Sequence, residues 1–543
     1  MNKFSAKRVF RKLVGYKSDG IKLLLALFFI IQIFIPISMM FLKVDGETIK
    51  RVFTNETFNI SVRNSVIGAL ISTIISVLLA YILAICVERI RIKCKRLFLV
   101  IFSLPMLIPS ISHGVGLVFL FGNNGIFTNL FGININIYGL TGIVMGSVMY
   151  SFPVAFLMLS DVMKYENGEP YEAAQVLGIS KIRQFTQITF PYLRKPLISV
   201  LFATFTLVVT DYGVPLLVGG KFTTLPVVMY QEVIGQLDFA KGAVYGMVLL
   251  VPAVVAFFID LFTKDNNNSS FVTKPIVPSD RMTTKIVSYI VCVITAIFTF
   301  LPIVAFSVTA FTKSYPYDLT LSFENIRKAF DMRAGNYLFN SVVIALLVSV
   351  IGVTIAFLTA YLSARMKSPA SKFLHLSVIT TAAIPGIVLG LSYVLTFKTT
   401  PLYGTLAILV IVNIVHFIAS PYLMMYNLLS KTNSNLEGVG YTLGINRFHM
   451  IKDVFIPMCK NTLLEMFSYF FVNCMMTISA VSFLATAVHK PLSLMITQFE
   501  AQMQMGAVAV VSLLILGVNI IMKIIVFVFG KDKYCVHSKK KRK

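Results

Sequence analysis

The sequence predicts an all-α, polytopic membrane protein with about 12 transmembrane helices in two tandem homologous halves. Three observations support this fold class: 57% of the 543 residues are hydrophobic, long apolar segments recur along the chain, and short residue patterns repeat at a fixed spacing. Each apolar segment can cross a hydrocarbon core about 30 Å thick. The segments must be helical because lipid offers the backbone no hydrogen-bond partner. A soluble globular core could not bury so much apolar surface, so that class is excluded.

The predicted spans alternate with loops whose charge differs from one side to the other. Basic residues crowd the turn 89–96 after the second span, whereas residues 122–136 after the third carry no charge. Because positive loops stay in the cytoplasm, this alternation predicts that both termini are cytoplasmic. The predicted spans are 21–42, 64–87, 97–121, 137–162, 197–219, 241–262, 286–311, 340–364, 372–397, 402–428, 461–485 and 505–529.

The net charge of +25 does not indicate nucleic-acid binding here. Many basic residues lie in an N-terminal arm, 1–20, and a C-terminal tail, 531–543, where they flank membrane segments. This placement is typical of topology signals that contact anionic lipid, so membrane lipid is a predicted partner and nucleic acid is not. The six cysteines contain no C-x-x-C pair, and no metal site is predicted.

The chain reads as a duplication around a polar linker, 263–284. The first half is predicted at 21–262 with a core module at 61–262, and the second half at 285–530 with a core module at 336–529. Several residues recur 276 positions later, which a chance match would not produce. These pairs are Asn64-Ser65 with Asn340-Ser341, Pro109 with Pro385, and Gly114 with Gly390; Gly178 and Pro191 recur 266 positions later as Gly444 and Pro457.

A polar stretch, YEAAQVLGISKIRQFTQITFP, interrupts the apolar text between the fourth and fifth spans. It predicts a short helix from Glu166 to Leu177 that ends at Gly178, where a left-handed backbone is free for glycine. Ser180 can cap a second short helix that runs to Pro191. Such a helix–turn–helix at the cytoplasmic surface suits the seating of another protein; an ordinary amphipathic loop is the alternative.

The same stretch is similar to the E-A-A, glycine, I-x-L-P signature of the membrane subunits of binding-protein-dependent ABC importers, the MetI-like permease superfamily. Phe190 stands where that signature has leucine. The resemblance implies that the motif forms a coupling helix that docks in a groove of an ATP-binding subunit. The docking residues it implies are Glu172, Ala173, Ala174, Gly178, Ile188 and Pro191.

The second half carries a diverged copy, LEGVGYTLGINRFHMIKDVFIP. Gly444 and Pro457 keep their places, but residues 438–440 replace E-A-A and Glu437 lies one position early. By the same resemblance, Glu437, Gly444 and Pro457 are the docking residues of this half. Docking here is expected to be weaker or differently arranged.

At the level of modules, residues 61–262 and 336–529 resemble the fused, two-module permeases for ferric iron, thiamine and 2-aminoethylphosphonate. Phrases such as VTDYGVPLLVGGKFTTLP look most like the 2-aminoethylphosphonate type. The resemblance implies two cytoplasmic ABC ATPase subunits and an extracytoplasmic solute-binding protein as partners, in a bacterial plasma membrane. It implies a ferric or thiamine importer as the alternative.

No catalytic or nucleotide-binding motif accompanies these features. The chain has no G-x-x-x-x-G-K-[ST] loop, so it is predicted to be a transport subunit that binds no cofactor, with ATP used by its partners. Asp211, Tyr212 and His113 are candidates for the translocation path because polar groups deep in a membrane are expensive. Asp211 could instead brace a broken helix. An ion-coupled secondary transporter, with Asp211 as the coupling acid, is the rival class.

Overall fold

The computed structural model describes residues 17–530 except 133–134, 264–273, 275, 367 and 434. Most of the predicted basic arm, the first part of the linker and the predicted basic tail lie outside the described residues.

The first half of the chain is built almost entirely of helices. Three π-helical turns, Ile30–Phe34, Phe185–Thr189 and Gln231–Gly235, and one 3-10 turn, Leu104–Leu107, join α-helical segments. The α-helices are Lys17–Phe29, Ile35–Leu42, Gly46–Phe53, Glu56–Glu88, Lys95–Ser103, Ser110–Phe121, Ile126–Phe131, Leu140–Lys164, Glu169–Val176, Lys181–Gln184, Phe190–Val209, Gly213–Val218, Leu225–Tyr230 and Phe239–Thr263.

The second half repeats this pattern and adds a small antiparallel hairpin, Thr312–Ser314 with Asp318–Leu321. It has one π-helical turn, Met450–Phe455, and 3-10 turns at Thr381–Ala383 and Leu492–Leu494. The α-helices are Met282–Phe311, Glu324–Asp331, Ala334–Arg365, Pro369–Thr380, Gly386–Phe397, Leu406–Phe417, Ala419–Lys431, Leu436–Thr442, Arg447–His449, Ile456–Met458, Lys460–Met476, Met495–Ala501 and Met505–Gly530.

All twelve predicted spans fall on helix, but not all are continuous membrane-crossing helices. Among the described residues, 7 helices are long and apolar enough to cross a membrane, and up to 10 spans result if each of three bent pairs counts as one. The sixth predicted span falls on helix Phe239–Thr263, whose apolar stretch within the described residues is Phe239–Val255, and the eleventh falls on the 17-residue helix Lys460–Met476. The all-α membrane architecture is confirmed, whereas the number twelve is not.

The third predicted span is bent because a proline interrupts it. Residue Ile108 is extended ahead of Pro109, as the residue before a proline prefers to be, and the chain then starts a new helix at Ser110. The two helical pieces meet at 99°. Pro385 produces the same break in the second half, where the pieces meet at 111°. The proline pair found by spacing therefore marks one bend built twice.

The described residues form two compact units, and each unit combines parts of both sequence halves. One unit contains residues 44–334 and 493–514, and the other contains 17–43, 335–492 and 515–530. Each half begins with one extra helix that precedes its core module. That of the second half, Met282–Phe311, packs against the core of the first half, where Gly116 leaves room for Pro302. The N-terminal helix packs against the second half, where Tyr393 donates a 2.9 Å hydrogen bond to the carbonyl of Gln32. Each half thus lends its extra helix to the core of the other.

The repeated Asn-Ser pair forms the same staple in both units. Asn64 Nδ2 donates to the Thr223 carbonyl at 3.1 Å, and Ser65 Oγ accepts from the Leu225 amide at 2.7 Å. Since both serine and leucine are buried, the hydroxyl satisfies an amide that water cannot reach.

In the second unit, Asn340 Nδ2 donates to the Val488 carbonyl at 2.9 Å, and Ser341 Oγ accepts from the Leu492 amide at 2.7 Å. The staple ties the first core helix of each module, Glu56–Glu88 or Ala334–Arg365, to a distant turn.

We expect Ser65→Ala to lower the free energy of unfolding by about 1–3 kcal/mol, because it leaves the buried Leu225 amide without its acceptor. Ser341→Ala should act similarly through Leu492. The measurement is the melting temperature of the purified protein in detergent.

Ser307→Ala is the matched control, since its hydroxyl donates to the Ile303 carbonyl of its own helix. Its removal should change the melting temperature little. A shift for Ser65→Ala no larger than that of the control would contradict the staple.

Candidate functional site

The first loop, residues 166–190, has the predicted helix–turn–helix form. Its first helix, Glu169–Val176, begins three residues later than predicted. The turn residue Gly178, whose φ is +66°, follows the helix after Leu177. The Ile179 amide donates to the Ala174 carbonyl at 2.9 Å, which closes the helix with a left-handed cap. Ser180 lies at the N-cap of the second helix, but the predicted capping by its side chain is wrong, because the side chain makes no capping hydrogen bond, and the helix continues from Lys181 to Val209 without ending at Pro191.

The second loop, residues 432–457, has the same backbone form despite its diverged sequence. Gly444 has φ +68°, and the Ile445 amide donates to the Gly440 carbonyl at 2.9 Å, as its counterpart does 266 residues earlier. Gly440 stands where the first loop has alanine because a Cβ there would lie 2.7 Å from the sulfur of Met450. The larger neighbour therefore explains one of the losses in the diverged motif.

The structure separates the predicted docking residues by exposure. Ala173, Gly178 and Pro191 of the first loop are exposed, as are Gly444 and Pro457 of the second, whereas Ile188 is half-buried. Ala174 is only 2% exposed and packs within its own unit. The structure therefore does not support the predicted contact of Ala174 with a partner, because almost none of its surface is accessible.

Glu172 of the first loop is half exposed and forms an ion pair with Lys274 of the linker, at 2.7 Å. The linker also contacts the loop through its backbone, since the Gly168 amide donates to the Lys274 carbonyl at 2.7 Å. Further along, Ser279 exchanges backbone hydrogen bonds with Arg89 and Arg91. The described end of the linker thus lies across the first loop, and a cavity of about 650 Å³ remains between them.

The sequence analysis did not identify the apolar side chains of the first loop that have the highest exposed fraction. Val176, Leu177 and Ile182 are 87%, 74% and 78% exposed. They surround the glycine turn and leave an apolar patch on a polar segment, which is typical of a protein interaction site. Apolar residues beside the turn glycine were the signal that could have found them.

The second loop presents a similar set, with Val439, Leu443 and Phe448 each more than half exposed. Leu443 and Phe448 lie 266 positions after Leu177 and Ile182, so the same two places of the turn are apolar in both loops. The exposed apolar character is kept where the E-A-A letters are lost. We call these two sets the first and second apolar patches.

Arg89 anchors the first loop to the end of helix Glu56–Glu88. Its guanidinium pairs with Glu166, and Nη2 also donates to the Tyr171 hydroxyl at 3.0 Å. The Tyr171 hydroxyl in turn donates to Glu166 and lies 2.8 Å from the Thr189 hydroxyl. Burial and the bond to Glu166 raise the pKa of Tyr171, which therefore remains a protonated donor.

Arg365 anchors the second loop in the same way at the end of helix Ala334–Arg365. Its Nε donates to Glu437 Oε1 at 2.6 Å, and Nη2 donates to the other carboxylate oxygen. Nη1 donates to the Thr432 carbonyl at 2.8 Å, and Nη2 also reaches the Asn433 carbonyl at 2.7 Å. The Arg365 side chain is 5% exposed.

This contact corrects the role predicted for Glu437. It lies 266 positions after Tyr171, not Glu172, and like Tyr171 it turns inward to an arginine. Gly438 holds the exposed position that Glu172 has in the first loop. In the second loop no carboxylate stands at the position equivalent to Glu172, and Glu437 binds within its own chain.

The three candidate path residues lie in one unit, where Tyr212 and His113 are buried and Asp211 is half-buried. Asp211 accepts hydrogen bonds from Ser110 Oγ at 2.6 Å and from the Gly213 and Val214 amides at 3.3 and 3.1 Å. It thereby caps the short helix Gly213–Val218 after the fifth membrane helix ends at Val209. Of the two readings of Asp211, this geometry favours the brace of a broken helix.

The other two candidates have equally local partners. Tyr212 stacks on Tyr230 with ring centroids 5.1 Å apart. His113 Nε2 lies 3.2 Å from the Pro105 carbonyl, which belongs to the 3-10 turn ahead of the proline bend. The translocation role predicted for these residues stays a prediction.

Comparison with known proteins identifies relatives that match about two thirds or more of the chain. The chain is 25% identical over 405 residues to the putative ferric transport system permease protein FbpB 1 of Haemophilus influenzae, covering 71% of this chain and 64% of that protein. It is 26% identical over 405 residues to the ferric permease FbpB of Actinobacillus pleuropneumoniae, covering 71% and 59%. The chain thus spans about three fifths of the length of these relatives.

The thiamine transport system permease ThiP of Haemophilus influenzae is 24% identical over 379 residues, which is 66% of this chain and 68% of that protein. The family model for the binding-protein-dependent transport system inner membrane component matches residues 76–264 and again 352–533. The two matches lie in the two predicted halves and cover most of the chain. It follows that this multi-pass membrane protein belongs to the binding-protein-dependent transport system inner membrane components.

Proposed function

We propose that the chain is the permease subunit of an ATP-driven importer. Two cytoplasmic ABC ATPase subunits dock on the first and second loops, and an extracytoplasmic binding protein delivers the solute to the opposite face. The observation that supports this proposal is the repeated loop of one backbone shape, which presents an exposed apolar patch in each half. ATP-driven closure of the ATPases would move the loops and, through them, the membrane helices. Both termini are cytoplasmic in this arrangement.

Docking would use different contacts in the two loops. On the first, the apolar patch is joined by Glu172, Ala173, Gly178 and Pro191, with Ile188 at the edge. On the second, the patch is joined by Gly444 and Pro457, and no carboxylate stands at the position equivalent to Glu172. Because the turn and the two shared apolar positions are kept, we expect the second loop to dock through shape and apolar contact.

For the cargo, ferric iron is the first candidate and thiamine the second, because the relatives reported above are named for these transports. The preference for 2-aminoethylphosphonate drawn from sequence phrases receives no support from those relatives. Specificity would rest largely with the binding protein.

The proposal is tested with the tagged chain purified together with its ATPase subunits and reconstituted in proteoliposomes. With the binding protein and ATP supplied, we expect uptake of radiolabelled ferric iron, thiamine or 2-aminoethylphosphonate, in that order of preference. Replacing the Walker lysine of the ATPase should abolish uptake. Uphill transport by the purified chain alone would refute the proposal.

Leu177→Glu should strongly reduce co-purification of the ATPase, because it places a charge in the centre of the first apolar patch. A loss of about 2 kcal/mol in binding corresponds to about 30-fold weaker association. The measurement is the ratio of ATPase to permease after affinity purification.

Leu321→Glu provides the matched control, since this leucine is 88% exposed in the hairpin on the predicted outer side. The same substitution there should leave the ratio unchanged. Equal ratios for both variants and the parent would contradict docking through the patch.

Asp211→Asn separates the importer from the rival ion-coupled transporter. Asn keeps one of the two acceptor oxygens, either for Ser110 and Gly213 or for Val214, so a bracing role predicts a lower melting temperature with uptake within about threefold of the parent, a change under 1 kcal/mol. A coupling acid would lose its function with its charge. Abolished uptake in a variant of parental melting temperature would favour the rival; Asp211→Ala should lower the melting temperature.

A further inference from the structure

We propose that Arg89 and Arg365 are positioning residues that fasten each docking loop to one end of a rigid helix, whose other end carries the Asn-Ser staple. The first core helix of each module would then transmit movement of the loop to the turn held by the staple. This inference rests on the proposed function, because a docked ATPase supplies the movement.

The first argument is that the arrangement occurs twice. Arg89 and Arg365 are 276 positions apart, the same spacing as the Asn-Ser pairs on the same two helices. In both modules, therefore, an arginine and an Asn-Ser pair lie 24 or 25 positions apart on one helix, with the arginine at its C-terminal end. At 1.5 Å per residue this separation is about 37 Å, which exceeds the hydrocarbon thickness of a bilayer.

The second argument is that the contact is kept although the residues that make it change. In the first loop the carboxylate comes from Glu166, ahead of the coupling helix, and Tyr171 adds its hydroxyl. In the second loop the carboxylate comes from Glu437, at the position of Tyr171. The carboxylate thus comes from a different position in each loop, yet it contacts the equivalent arginine. This is expected when attachment of the loop to the end of the helix is itself required.

The third argument is stiffness. Glu166 is 2% exposed, so its pair with Arg89 is shielded from water and screened little by salt. Burial alone would lower the pKa of Arg89, but Glu166 and Tyr171 raise it above its usual value overall. Arg365 adds backbone carbonyls to its carboxylate partner, which holds the guanidinium in one plane. Neither arginine can swing away without losing several bonds together.

At the end opposite the arginine, each helix is bonded to a distant segment through its Asn-Ser staple. The Asn64-Ser65 staple holds the segment 223–225, which begins helix Leu225–Tyr230. The Asn340-Ser341 staple holds 488–492 at the start of a 3-10 turn. Both segments fall within or beside the loops predicted to lie outside the cell, so the helix would connect the docking side with the solute side.

The test uses the full permease with its ATPase subunits in lipid nanodiscs, with and without a non-hydrolysable ATP analogue. Hydrogen exchange of the backbone amides is measured at 223–230 and 488–494. In the parent, we expect the analogue to change exchange at both segments. In Arg89→Gln, the response at 223–230 should fall by about fivefold or more while that at 488–494 persists, and Arg365→Gln should show the converse.

Arg96→Gln is the matched control, because Arg96 is an exposed arginine close by in the same part of the chain. It should leave both responses unchanged. Arg89→Lys should recover part of the response, since an ammonium can still pair with Glu166. Arg365→Lys should recover little, since one ammonium cannot reproduce the planar set of bonds.

The outcomes separate the inference from the proposed function. A parent protein that binds no ATPase refutes the proposed function. A parent that binds ATPase, with Arg89→Gln and Arg365→Gln variants that keep both distal responses, refutes the inference alone. If an arginine variant loses its ATPase, Tyr171→Phe is the milder variant, because it keeps the ion pair. An unchanged response at 223–230 in both Tyr171→Phe and Arg89→Lys would also refute the inference.

Discussion

The structure depends on a single constraint: every backbone group freed where a membrane helix breaks must find a partner inside the protein. The side chains at the breaks meet this need. Asp211 accepts the first amides of the helix that follows a broken span, and Ser65 accepts the amide that begins another. Ser341 repeats the second device. The polar residues of the membrane region are therefore explained first by the interruptions they satisfy, and the interruptions allow short helices and turns to lie at membrane depth.

The sequence was a good guide to composition-driven and spacing-driven features. Apolar segments located helix in all twelve predicted places, and residue pairs at fixed spacing marked the proline bend, the staple and the loop glycine. It was a poor guide to continuity, because an apolar segment reads the same whether it runs straight or bends by 99° at Pro109. The sequence also did not predict the contact of Glu437, because its partner Arg365 lies 72 residues away along the chain. Distant pairings of this kind cannot be found from local pattern.

The diverged second loop shows what its backbone shape requires. Glycine at 444 is needed because φ is +68°, a conformation that other residues adopt at a cost of roughly 1–2 kcal/mol. Alanine is not needed at 440, because Met450 fills the space that a methyl group would use. The carboxylate of Glu172 has no counterpart at its equivalent position, whereas exposed apolar side chains persist. The E-A-A residues are thus one of several sequences that fit this loop. A search for these residues alone underestimates how far the second loop keeps the backbone shape and exposed apolar positions of the first.

The exchange of extra helices has an evolutionary consequence. Met282–Phe311 completes the core of the first half, and the N-terminal helix completes the core of the second. An ancestor with a single module would have exposed that unmatched surface to lipid unless a sister copy covered it. A duplication that fused two such modules would keep in one polypeptide the exchange of helices that completes each core.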